Sequence, residues 1–164
     1  MNHQTAYYLV TCSGRSLCLP AEDILYLASA DEVTEKQQIV CVRFSDRWYP
    51  VYGFNNNWIP ASGLQPEEKK VILLRDTYDN VPAMALSCHS LFKLRTASRI
   101  HSLPTCMRRL SPVEGLIRQN NDWHLFATAQ TITRYFERVL SYGAAKPKEA
   151  IGYTPIQRHA GLAG

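Results

Sequence analysis

Short apolar stretches recur in pairs along the chain, each pair joined by a polar turn. Tyr7–Cys12 runs to Leu17–Pro20 through Ser13-Gly14-Arg15-Ser16, and Ile39–Phe44 runs to Arg47–Tyr52 through Ser45-Asp46. Val71–Leu74 returns as Val81–Leu86 after Asp76–Asn80, and Gly115–Arg118 returns as Trp123–Ala127 after Asn120-Asn121-Asp122. The turns hold residues that tolerate left-handed dihedrals or bond their own backbone, so each pair predicts a β-hairpin. The class that follows is mostly antiparallel β, with function on sheet or barrel surfaces.

Between the hairpins the pattern is weaker. Asp23 to Leu27 predicts a strand leaving the first hairpin, and the acidic run Asp31-Glu32-Val33-Thr34-Glu35 an exposed loop. Asn55 to Gly63 is too rich in asparagine, proline and glycine for a regular element, and reads as a loop with Trp58 and Ile59 tucked inward. Another strand is expected near Leu91–Leu94, then a turn of helix around Thr105–Leu110, closed by Pro112. From Ala129 to Tyr142 the period changes. Ile132, Tyr135, Phe136, Val139 and Leu140 form one apolar helical face, expected to seal an open end of the β core, with Gly143 placed as its C-terminal cap. A domain over 5–142 and a flexible tail over 143–164, poor in apolar residues, follow.

Charge adds a local feature. The net charge is +4, yet no acidic residue lies between Asp79 and Glu114, where Lys93, Arg95, Arg99, Arg108 and Arg109 fall. Outside that segment 13 basic residues face 14 acidic ones, so these five cations account for the whole excess. A solvated face or a steering field for an acidic partner are the two readings.

Candidate chemistry is thin. The five cysteines, odd in number and mostly inside strands, read as small buried hydrophobes in a reducing, cytoplasmic compartment. Met1-Asn2-His3-Gln4 lacks the basic and apolar regions of a signal peptide, and no stretch approaches a membrane span, so no membrane insertion is expected. Cys88, His89, His101 and Cys106 are the best metal candidates, but adjacent strand residues point to opposite faces and the spacing does not suit zinc. Cys12 and Cys18 could face each other across the first hairpin, although a reducing compartment and a strained short loop argue against a disulfide. No phosphate loop, carboxylate pair or activated nucleophile is assembled, so neither an enzyme nor a cofactor is expected. Trp48, Trp58 and Trp123 read as packed side chains; an indole left half exposed would instead be an interface anchor.

The order of these units resembles one family. Gly14-x-x-Leu17-x-Leu19-Pro20-Ala21-x-Asp23-Ile24 is followed by Tyr49-Pro50-Val51-Tyr52-Gly53-Phe54, then Val71–Leu74 and Ala83–Leu86. Leu103-Pro104, Glu114–Ile117 and Asp122-x-x-x-Phe126 complete the series. Over roughly residues 5 to 140 this succession is similar to the CheW-like coupling proteins of bacterial chemosensory arrays. The resemblance implies two small SH3-like β-barrel lobes sharing a core, with a C-terminal α-helix. It also implies a non-enzymatic adaptor that binds a histidine kinase regulatory domain, a chemoreceptor tip or a related CheW-like module, in chemotaxis or type IV pilus twitching motility.

The departures concern binding positions. The family's Asn-Leu-Arg-Gly falls on Arg43-Phe44-Ser45-Asp46, so Ser45 stands where the arginine would be. Its following aspartate falls on Gly53, and its Val-Asp after the third hairpin on Leu86-Ser87; the loop near Glu35–Gln38 is shortened. Carried over residue by residue, the contact surface implicates Leu27, Ser29 and Ser45. Lys93, Arg95, Arg99, Arg108 and Arg109 are the charged candidates. The competing reading is a nucleic-acid-binding barrel that uses those cations on phosphates, but its aromatics lie far from them in sequence.

Overall fold

All four apolar pairs are hairpins in the computed structural model, which describes residues 5–76, 79–94, 99–109 and 111–143. One lobe is built from β1 (Tyr7–Cys12), β2 (Arg15–Pro20), β10 (Ser90–Leu94), β11 (Ile100–Ser102), β12 (Gly115–Gln119) and β13 (Asp122–Phe126). They line up as β10-β1-β2-β13-β12-β11, antiparallel except where β13 meets β2. The other lobe holds β3 (Ile24–Ser29), β4 (Val33–Lys36), β5 (Ile39–Phe44), β6 (Arg47–Phe54), β7 (Pro60–Ser62), β8 (Lys70–Arg75) and β9 (Pro82–Cys88). Its order is β3-β8-β9-β6-β5-β4, with β7 paired to β6. α1 (Thr105–Arg108) is one turn long, and α2 (Ala129–Gly143) follows β13.

The continuous apolar runs have a specific cause. Successive side chains of a strand face opposite ways, so a strand reads as apolar throughout only when both its faces are covered. In β1 and β2, Val10, Cys12, Leu17 and Leu19 face the second lobe, while Tyr7 and Cys18 join Ile117 and Phe126 inside their own. In β6, β8 and β9, Tyr52, Phe54, Ile72, Leu74, Met84 and Leu86 face the first lobe, and Val51, Val71, Leu73 and Ala85 line the second lobe's interior. Two curled half-barrels therefore stand back to back over a shared core. Leu94 and Ile100, from the two edge strands of the first sheet, pack on the same interior cluster, which shows how far that sheet curls.

α2 closes the shared core. Ala129, Ile132 and Phe136 are buried in it, and the Phe136 ring meets Phe54 edge-on at 4.9 Å. Its first turn is satisfied from two directions: Thr128 Oγ1 accepts the Thr131 N–H at 3.2 Å, and Asp23 Oδ2, remote in sequence, accepts that of Ala129 at 2.8 Å. Burial raises the pKa of Asp23, and the Ala129 amide opposes that shift.

The β1–β2 turn docks one lobe on the other. Ser13 and Gly14 take φ of 46° and 76°, the left-handed pair that a two-residue hairpin turn needs. The Ser13 amide donates to Glu68 Oε1 at 2.9 Å, its hydroxyl donates to the Phe54 carbonyl, and Trp58 Nε1 donates to the Cys12 carbonyl at 3.0 Å. Trp58 itself sits at φ 61°, an unfavourable region for a bulky residue, held there by stacking on Phe54 at 4.2 Å.

Four expectations need correction. The acidic run is not a loop: Ala30–Glu32 is a 3₁₀ turn closed by a Ser29–Glu32 capping box, and Val33–Lys36 pairs with β5. Its charges line the exposed side of an edge strand and hide the alternation. Ile59 is 48% exposed; only Trp58 turns inward, from the left-handed bend that follows the Asn56–Asn57 turn. Pro60–Ser62, expected as loop, is a short strand. The helix also runs through Gly143 instead of stopping before it. The expected flexible tail, from 144 onward, lies outside the described residues. Among the described residues no helix is long and apolar enough to cross a membrane.

Candidate protein-interaction surfaces

The residues singled out by sequence fall on both lobes. Leu27 and Ser29 lie on β3, whose only described strand partner is β8. The β3–β8 register shifts between Ile24 and Tyr26, and beyond that irregularity both Tyr26 and Leu27 emerge, 37% and 43% exposed. A bulge re-aims side chains in this way and leaves no trace in an apolar pattern, so Tyr26 was missed.

Tyr26 joins the strand to the rest of the site. Its ring packs on Phe44 of β5 at 5.5 Å, and its hydroxyl donates to Glu32 Oε1 at 2.9 Å. Glu32 Oε2 accepts the Ser29 amide at 2.7 Å. Those two hydrogen bonds favour the carboxylate and lower the Glu32 pKa. Ser29 Oγ accepts the Asp31 amide at 3.3 Å, so Ser29 shapes the turn as a cap. Phe44 also brings Ser45 close: Ser45 and Asp46 form the β5–β6 turn at φ 47° and 63°. Beside them Arg43 pairs with Asp46 at 2.7 Å in full solvent, a contact worth about 1 kcal/mol or less. The outcome is an exposed apolar edge, the Tyr26–Leu27 seam, with Tyr26 on the face bordered by Glu32 and Phe44 and Leu27 on the opposite face of the strand.

The cations do not form one site. Lys93 is on edge strand β10, and Arg99 immediately precedes β11 at the other edge. Arg108 and Arg109 line a cleft of about 270 Å³ with Thr105, Ser111, Val113, Glu114 and Thr131. Arg95 lies outside the described residues. Trp123 departs from the expected packing: it is 52% exposed and lies beside His101. Trp48 is half-buried with Lys36 Nζ over its ring at 4.0 Å, and only Trp58 is buried with its indole N–H on a backbone carbonyl.

The thiols are spread across separate environments. In the β1–β2 register Cys12 faces Arg15 and Cys18 faces Leu9, and the two belong to different clusters, so they do not meet across the hairpin. Burial pushes Cys18 up to about 11 and Cys88 up to about 12, and raises Cys12 well above its ordinary value. At neutral pH all three are protonated and poorly nucleophilic. Cys88 is buried, while His89, His101 and Cys106 are exposed on separate elements. Among the described residues no three histidines, cysteines or acids are placed to hold a metal ion.

No family model and no curated protein matches this sequence. Among solved structures the chain is similar to the scaffolding protein TtCheW from Thermoanaerobacter tengcongensis, with a TM-score of 0.54 at 11% identity over 75% of this chain and 88% of that one. The likeness is one of fold: two curled β lobes about a shared core with a C-terminal helix.

Proposed function

We propose that the protein is a non-enzymatic adaptor of a bacterial chemosensory-type system, serving chemotaxis or twitching motility from the cytoplasm. One observation carries the reading: in a fold shared with a scaffolding protein, the outer strand of the second lobe leaves an apolar side chain exposed on each face, Tyr26 on one and Leu27 on the other. A strand with an unpaired side and apolar side chains beside it suits a partner's loop or strand. The partners this reading takes from the resemblance to CheW-like proteins are a histidine kinase regulatory domain, a chemoreceptor tip or a related CheW-like module.

Ser45 sets the coupling strength. An arginine there would offer a carboxylate two parallel hydrogen bonds, and serine has neither the charge nor the reach. The adjacent Arg43 is already engaged by Asp46. Titrating the protein with an isolated kinase regulatory domain tests the reading. Leu27→Asp is expected to abolish the binding heat, and Ser45→Arg to strengthen it. Binding unchanged by Leu27→Asp would remove the seam from the interface.

A further inference from the structure

We propose that the outer face of β11–β13, centred on Trp123, docks an acidic polypeptide segment of a partner protein. This surface lies on the first lobe and does not depend on the Tyr26–Leu27 seam.

The face follows from register. Ile100 pairs with Ile117, and Ile117 with His124; Ile117 and Phe126 are buried, with Ile100 packed on the same cluster. The alternate positions look outward: His101 opposite Leu116, and Arg118 opposite Trp123. The exposed Arg99 immediately precedes Ile100, at the end of β11 where its pairing with β12 stops. Asp122 alternates to the other side of the sheet. Glu114, at the start of β12, is half-buried and lines the cleft with Arg108 and Arg109, two alternations away from Arg118. Among the described residues Arg99, His101 and Arg118 have no acidic partner, and the only side-chain bond recorded for Arg118 runs to Asn121 Oδ1 at 3.4 Å.

Trp123 is held in place although half its surface meets water. The Arg118 guanidinium carbon sits 5.8 Å from the ring centroid, and the His101 ring meets it edge-on at 5.1 Å and 74°. A large ring already fixed by its neighbours loses little entropy on binding. Tryptophan and arginine are also the side chains most often found at the energetic centre of an interface. Nothing in the fold requires an indole here, since the adjoining core is complete without it: Leu125 on the same face packs into the shared cluster.

The chemistry selects the occupant. The Arg118 guanidinium and the His101 imidazole beside an exposed ring, with Arg99 at the end of the neighbouring strand, complement a segment with carboxylates and an apolar or aromatic side chain. A carboxylate can bind Arg118 where it lies. A nucleic-acid base would have to displace that guanidinium before stacking on the same indole face, which is what single-strand binding uses.

Fluorescence anisotropy decides the matter with two probes: a labelled glutamate-rich peptide carrying phenylalanine, and a labelled oligothymidylate. The peptide is expected to bind, and a glutamine version of it is not. Trp123→Ala should weaken peptide binding about tenfold or more, and Arg118→Glu should abolish it. Leu27→Asp should leave it unchanged, which separates this surface from the seam. Absence of peptide binding, or equal binding by Trp123→Ala, overturns the proposal. Trp123-dependent binding of the oligonucleotide tighter than that of the peptide overturns it in favour of nucleic acid. Self-association lost in Trp123→Ala overturns it in favour of a second copy.

Discussion

Gly53 and Ser87 occupy one another's space: a Cβ built on Gly53 would collide with Ser87 Oγ and come within 2.7 Å of Gln65 Cγ. They are neighbours because β6 and β9 run parallel here, with Tyr52 opposite Leu86. Both are positions where the resemblance to CheW-like proteins expects an aspartate. The two departures are therefore one local change: a bare glycine backbone and a serine hydroxyl meet at a place where two carboxylates would have to coexist.

Gly53→Ala should accordingly destabilise the protein by about 1–3 kcal/mol, the cost of overpacking a closed site. Among the described residues the buried Ser87 hydroxyl has no hydrogen-bond partner, so Ser87→Ala removes none of these bonds, and combined with Gly53→Ala it should recover part of the loss. Denaturant midpoints of the three variants measure this. Equal midpoints for Gly53→Ala and wild type would contradict the contact.

Phe136 tests the shared core. Its ring is fully buried against Phe54 and Tyr52, residues of the second lobe, while the helix that carries it follows directly from the first. Phe136→Ala should cost about 3–5 kcal/mol, and Phe136→Asp should prevent stable folding. A single cooperative transition lowered as a whole is expected on calorimetry; loss of one lobe's signal alone would mean that the core is not shared.

These two contacts show what was legible and what was not. The hairpins were readable because β1, β2, β8 and β9 are covered on both faces and keep long apolar runs. α2 was readable because Ile132 and Phe136 keep helical spacing. β4 was not: only Val33 of its four residues is even half-buried. The same limit hid Trp123, because Trp123-His124-Leu125-Phe126 looks apolar on both faces, whereas the outward side is covered only at Leu125. Tyr26 depended on a register shift, and the Gly53–Ser87 contact on a parallel pairing between remote segments.

Glu68 gives stability a pH dependence. Burial raises its pKa; the Ser13 amide and His89 oppose the shift. A carboxyl whose folded pKa exceeds its unfolded one is bound more tightly to its proton in the native state. Its contribution to stability thus falls as pH rises from the ordinary glutamate value through the folded one, and returns on acidification. Glu68→Gln keeps an oxygen for the Ser13 amide and should flatten that part of the profile. Unfolding free energy measured across the acidic range, mutant against wild type, checks it; parallel curves would contradict it.

Thiol chemistry separates the cysteines. Cys12, Cys18, Cys41 and Cys88 are buried and only Cys106 is exposed. A maleimide should modify one site rapidly under native conditions, and Cys106→Ser should remove that phase. A second fast site would mean that one of the sheets opens readily.

An adaptor must hold two partners at once. Sedimentation of the protein mixed with a kinase regulatory domain and a chemoreceptor tip fragment is the most direct test. The account predicts a ternary complex that appears only when this chain is present and is lost in Leu27→Asp. Co-sedimentation of the two partners in its absence, or no association with either, would contradict the adaptor reading.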